Sequence, residues 1–397
     1  MALGILPSPR PSAITASDRF HFLREGPLDK PLPAFDFLPE PAHQEQDKIF
    51  ARAFSIVDEA ISAHAFPGAS IAVTLRGKLV ALKAFGQFTY DQQSDKVDVE
   101  TIFDLASVSK VVATTAMAMI LYERGDLDLD TPVRNIVPEF AGDDPRRDEV
   151  TIRMLLAHSS GLPAYEKLFE RAHSREDLLR AVFTMPLVAE PGSRAAYSDI
   201  GFILLGEGLC RIADEPLDRF CQRHVFGPLA MSRTLFNPPP AWKKNIPPTV
   251  NDQWFRKRVI QGEVHDENAS VLGRVAGHAG AFATASDVAI FANTMLSGGR
   301  PILPPQTLAL FTERQASPEG TSRALGWDTP SRPSQSGKHF SQASFGHLGY
   351  TGTSLWIDPQ RQLSVTLLTN RTWPDNRNQD IKQIRPAFHD AIVEALL

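Results

Sequence analysis

Apolar residues at Ile49, Phe50, Ala53, Phe54, Val57 and Ile61 recur at helical spacing and predict an amphipathic helix early in the chain. Two strand-like runs follow, 69–75 and 79–85, and Arg76-Gly77-Lys78 between them reads as a turn. Then the period changes. Residues 111–122 form an apolar, alanine- and methionine-rich helix, with shorter helical segments near 152–157, 176–184, 199–212 and 217–225. The stretch 238–263 reads as irregular, and a helix returns over 286–296, closed by Gly298-Gly299. Strands are expected at 352–357 and 363–368 around Pro359-Gln360, with a closing helix from about 380 to 397. Strands at both ends and helices in the middle imply an α/β protein, its antiparallel sheet assembled from both ends of the chain.

Before the first helix, Pro7, Pro9, Pro11, Pro27, Pro31, Pro33, Pro39 and Pro41 mark residues 1–42 as an extended arm. The remainder, 43–397, reads as a single domain. Within it, 43–105 and about 280–397 form the α/β region, and about 106–279 the mostly helical one. With 397 residues, 43% of them hydrophobic, a large core can be buried. The net charge of -5 excludes the basic excess that a nucleic-acid partner requires. Cys210 and Cys221 are too few for a disulfide framework and read as reduced thiols. No run approaches the ~20 apolar residues of a membrane span. The first residues, broken by Pro7, do not read as a secretory signal, so a cytoplasmic location is expected.

Three segments carry candidate chemistry. Ser107 has Lys110 three positions later, and no other serine in the chain has a lysine at that spacing. On a helix, positions i and i+3 share a face, so the amine can serve as base to the hydroxyl. Burial lowers a lysine's pKa into a useful range, and free N–H groups at a helix start can hold an oxyanion. A capping serine followed by a solvated lysine is the plainer alternative. Tyr197-Ser198-Asp199 precedes another apolar helix. Either Ser198 or Asp199 can cap that helix with Tyr197 merely packing, or Tyr197 is an acid–base group whose phenolate a lysine ammonium favours. His347-Leu348-Gly349-Tyr350 leads into a strand, where closely spaced glycines let a ligand approach the backbone; a tight hairpin with an incidental histidine reads equally well.

Other features are less pointed. His265-Asp266-Glu267-Asn268 and Gly277-His278-Ala279-Gly280 lack the ligand spacing of a metal site and read as a polar loop at a cleft rim, with His278 hydrogen-bonded structurally. His158 reads as a turn or core histidine, and Trp254, Phe255 and Trp327 as a pocket wall or as packing. Neither a metal nor a cofactor is expected.

Taken in order, Ser107-Val-Ser-Lys110, Tyr197-Ser-Asp199 and His347-Leu-Gly349 resemble the three motifs of the penicillin-recognising serine hydrolases. That superfamily comprises class C β-lactamases, D-alanyl-D-alanine peptidases and esterase relatives. The resemblance runs from about residue 45 onward and extends to Leu155-Leu-Ala-His-Ser-Ser-Gly-Leu-Pro163 and Gly277-His-Ala-Gly280. It implies a β-lactamase-like α/β/α sandwich with an antiparallel sheet, an all-helical region, and a site in the cleft between them. It further implies that Ser107 is the nucleophile, that Lys110 and Tyr197 exchange its proton, and that the backbone N–H groups of Ser107 and Tyr350 form the oxyanion hole. His347 would then line the strand side.

Two departures matter. Asp199 stands where the family usually has asparagine, and His347 where it often has lysine. Both point away from an efficient β-lactamase. A carboxylesterase acting on a small-molecule ester is the leading expectation, with a D-amino-acid peptidase or amidase, a β-lactamase, or a non-catalytic penicillin-binding or sensor protein as alternatives. If the Asp199 carboxylate reaches Lys110, the lysine is charged at rest and Tyr197 becomes the base.

Overall fold

A computed structural model describes residues 37–397. All but the last six residues of the expected arm therefore lie outside the described residues. Of those six, Glu40 and Pro41 pair in parallel with Lys78 and Leu79 at the sheet edge.

Five longer strands build the sheet: β1 (Gly68–Leu75), β2 (Lys78–Gly86), β3 (Phe345–Leu348), β4 (Ser354–Asp358) and β5 (Leu363–Thr369). From the Glu40–Pro41 edge the order is β2, β1, β5, β4, β3, and these five pair antiparallel throughout. Side chains alternate across a strand, so each face of the sheet has its own apolar set. Ile71, Val73, Val365 and Leu367 cluster with helices α1 (Ala51–Ser62) and α5 (Ile381–Glu394), through Phe54, Val57, Phe388 and Ile392. Ala72, Leu355, Ile357 and Leu368 belong to the larger core that contains α4 (Ala285–Leu296), through Val288, Phe291 and Ala292. The result is the expected α/β/α sandwich.

The larger core continues into the helical region. There α2 (Ala116–Arg124) follows a π-helical turn at Lys110–Thr115 and ends at Gly125, whose φ of 78° closes it. Helix α3 (Asp199–Ala213) starts at Ser198, whose hydroxyl accepts from the Gly201 N–H. Of the two candidate caps, Ser198 does the capping, which leaves Asp199 free for other contacts.

The structure adds elements that the apolar pattern did not reveal. A helix spans Pro305–Thr312, and Phe103–Asp104, Ala281–Ala283 and Leu235–Phe236 form a small antiparallel sheet. Val250–Asp252 and Arg258–Ile260 pair within the stretch read as irregular. Strands of two or three residues are too short to show a period. Both cysteines are free thiols, and among the described residues no helix is long and apolar enough to cross a membrane.

Candidate active site

Ser107 enters the site on a clamped turn. The Asp104 carboxylate accepts the N–H groups of Ala106 at 2.8 Å and of His265 at 2.6 Å. Ala106, the residue before Ser107, is held at a φ of 47°, a conformation that L-residues avoid. Across the cleft, Thr351 donates to the Asp104 carbonyl at 2.8 Å and Thr353 to the Leu105 carbonyl at 2.9 Å. The turn carrying Ser107 and the turn after β3 are thereby tied together. Gly349 permits this approach: a Cβ there would lie 1.9 Å from Thr353 Oγ1 and 2.5 Å from the Leu105 carbonyl. From α5, buried Arg385 donates to the carbonyls of Gly349, Thr353 and Gly352. Nothing in its sequence neighbourhood marks it for that task.

Lys110 lies fully buried beneath Ser107. Its Nζ contacts Ser107 Oγ at 3.0 Å, Asp199 Oδ1 at 2.6 Å and the His278 carbonyl at 2.9 Å. The last two partners are acceptors only, so each takes one N–H. The third position of Nζ faces Ser107, where either an ammonium N–H donates or an amine lone pair accepts. Burial draws Lys110 below the ordinary lysine range, while the Asp199 carboxylate opposes the shift. Tyr197 OH reaches Ser107 Oγ from the other side at 2.8 Å. Burial raises this phenol well above its usual value, and Asp199 raises it further. The carboxylate does reach Lys110, as its position suggested, but it disfavours the phenolate in the same stroke. Burial and the carboxylate together favour the protonated phenol over a phenolate.

His158 was read as a turn or core residue. It is buried, and it supports the tyrosine from below: its ring lies 4.7 Å from that of Tyr197, and its Nδ1 accepts the Ser198 N–H at 3.1 Å. His278 is likewise held structurally, by Asp266 at 2.8 Å. His347 is 2% exposed, and its ring centroid is 6.0 Å from that of Tyr197. Burial, then Lys110, hold its pKa well below the usual value, so the ring is neutral and supplies no fixed positive charge. Its Nδ1 donates to the Leu348 carbonyl, which leaves Nε2 without a partner.

These groups line a cleft of about 800 Å³. Ser107, Tyr197, Asp199, His347, Gly349 and Tyr350 are all on its wall, with Lys110 just below, so the structure brings together every site residue expected from sequence. Trp254 also lines it, whereas Trp327 packs in the core against Phe345. Arg323 and Asp328, paired with each other, complete the wall and carried no signal in the sequence.

The beta-lactamase family model matches residues 53–387. An N-acetylmuramyl-L-alanine amidase of Bacillus subtilis is 31% identical over 84% of each chain. A protein of Escherichia coli, provisionally named a D-alanyl-D-alanine carboxypeptidase, is 29% identical over 77% of this chain and 79% of its own. Among solved structures, EstCE1, described as a hydrolase with promiscuous acyltransferase activity, superposes with a TM-score of 0.70 at 25% identity, covering 87% of this chain and 99% of its own. The octameric penicillin-binding protein homologue of Pyrococcus abyssi shares the fold at 21% identity and a TM-score of 0.66, over 81% of this chain and 73% of its own. The chain belongs to the beta-lactamase family of serine hydrolases.

Proposed function

We propose that this protein hydrolyses carboxylic esters through an acyl-enzyme on Ser107. The observation that carries the reading is the convergence of Lys110 Nζ and Tyr197 OH on one serine oxygen, at 3.0 and 2.8 Å. In the neutral-lysine arrangement, Tyr197 donates to Ser107 and Ser107 donates to Lys110. Lys110 takes the serine proton as Oγ attacks the carbonyl carbon. The backbone N–H groups of Ser107 and Tyr350 hold the oxyanion. Collapse breaks the bond to the leaving oxygen, which takes the Tyr197 proton and departs as alcohol. Lys110 returns a proton to Tyr197, and water then releases the acid from Ser107.

The neutral His347 supports esters over β-lactams, because a β-lactam carboxylate would meet no fixed positive charge at that position. An amidase reading has support of its own in the Bacillus subtilis relative.

A fluorophosphonate probe followed by mass spectrometry tests the assignment. The expected adduct sits on Ser107, and Ser107→Ala abolishes both the adduct and p-nitrophenyl ester turnover. Full turnover by Ser107→Ala overturns it. A stoichiometric burst without steady hydrolysis would instead mark a binding or sensor protein.

A further inference from the structure

The short helix Ile152–Leu156 ends in a turn of the kind that glycine usually makes. The Ser159 N–H donates to the Met154 carbonyl at 2.8 Å and the His158 N–H to the Leu155 carbonyl at 3.2 Å. This pair of bonds closes a helix when the residue after its cap turns left-handed. His158 fills that position, at a φ of 55°. Glycine takes this conformation without steric cost, whereas a residue with a large side chain is strained in it. The turn by itself gives no reason for a histidine; the contacts of the side chain do.

Those contacts converge on one residue. The His158 carbonyl accepts the Ala196 N–H at 2.8 Å, and its Nδ1 accepts the Ser198 N–H at 3.1 Å. The chain is thus held immediately before and immediately after Tyr197. The imidazole ring also packs at 4.7 Å from the ring of Tyr197 and at 4.9 Å from that of Phe202 in α3. One more step reaches the chemistry, since Tyr197 OH is 2.8 Å from Ser107 Oγ. An imidazole supplies a flat ring and an acceptor in the plane of that ring, which glycine and phenylalanine do not.

We propose that His158 is a positioning residue for Tyr197. By accepting the Ser198 N–H and packing against the phenol ring, it keeps the hydroxyl aimed at Ser107 and at the oxygen that leaves. It touches neither, and acts only through Tyr197. This inference rests on the hydrolase reading above, in which Tyr197 gives its proton to the leaving group. A reacting group displaced by about 1 Å can lose about 100-fold in rate, so the aim matters.

The test is the leaving-group dependence of kcat/KM, with p-nitrophenyl butyrate and benzyl butyrate measured on the same sample. A p-nitrophenolate departs without a proton, whereas a benzyl alkoxide needs one. His158→Gly, which suits the turn, should lose about 100-fold on the benzyl ester and less than about tenfold on the p-nitrophenyl ester. His158→Phe, with a ring but no acceptor, should shift the ratio in the same direction. His158→Asn, which tolerates the left-handed turn and offers an oxygen to the Ser198 N–H, should keep the ratio within about threefold of the parent. In a Tyr197→Phe background, His158→Gly should leave the ratio where Tyr197→Phe alone puts it, because the two act through one group. Partial loss of folded enzyme changes both rates alike and does not mimic these results. Equal losses on the two esters, an asparagine variant that falls as far as the glycine one, or a further shift in the Tyr197→Phe background overturns the inference while Ser107 still takes the fluorophosphonate label. A parent protein that neither takes the label nor cleaves either ester overturns the hydrolase reading with it.

Discussion

Replacing Asp199 by asparagine removes a carboxylate 2.6 Å from Lys110 while keeping the side chain's size and one acceptor oxygen. Two unit charges about 4 Å apart attract by about 4 kcal/mol at an effective dielectric constant of about 20. One pKa unit corresponds to about 1.4 kcal/mol, and an opposite charge at this range typically moves a pKa by about 1–3 units. With part of the hydrogen bond kept by the amide, Asp199→Asn should lower the Lys110 pKa by about 1–2 units. Lys110 must be neutral to act as base, so the acid limb of kcat/KM moves to lower pH by the same amount. The assay is the pH dependence of kcat/KM for p-nitrophenyl butyrate, parent against variant. A limb that stays in place or moves upward refutes the argument. Stability provides a second check. A lysine whose folded pKa lies below its unfolded one binds fewer protons in the folded state, so stability is full above the unfolded pKa and falls as pH drops toward the folded one. The variant extends that window downward. Its deficit in urea unfolding should be largest at acidic and neutral pH and should close as pH approaches about 10.

Tyr197→Phe should separate substrates by leaving group. A p-nitrophenolate needs no proton and should lose less than about tenfold in kcat/KM, whereas the benzyl ester of the same acid should lose about 100-fold or more. Equal losses for both esters would contradict a role in protonating the leaving group. Asp104→Asn sets an amide N–H against the backbone N–H of Ala106 or of His265, so unfolding free energy in urea should fall by about 1–3 kcal/mol. An unchanged urea midpoint would mean that the carboxylate does not hold the turn carrying Ser107.

Much of the architecture is written in side-chain periodicity. The alternation through residues 69–75 and 363–368 exposes two buried strand faces, and the spacing from Ile49 to Ile61 marks a helix with one apolar stripe. The site is less local. Ser107 and Lys110 are close in sequence, but Tyr197, His278 and His347 join them only through the fold, and without the family resemblance nothing ranked them above packing residues. The π-helical turn at Lys110–Thr115 was not legible, since an apolar run reads alike for α and π hydrogen bonding. Arg385 and the two threonines at 351 and 353 act on carbonyls far away in the chain, and a carbonyl leaves no mark in a sequence. The Pro305–Thr312 helix escaped because its single apolar face spans barely two turns.

The pairing of β1 with β5 sets residues 69–75 against 363–369 in the middle of the sheet, with the whole helical region between them in the chain. Synthesis on a ribosome delivers the β1–β2 hairpin long before its inner edge has a partner. Until β5 emerges, that edge and both apolar faces are open to other chains, and closing so long a loop is slow. The strand that joins the two halves of the sheet is therefore the last of the five to be made. A fragment ending before residue 363 would retain Ser107, Lys110, Tyr197 and His347, yet it would lack the strand that joins the two halves of the sheet.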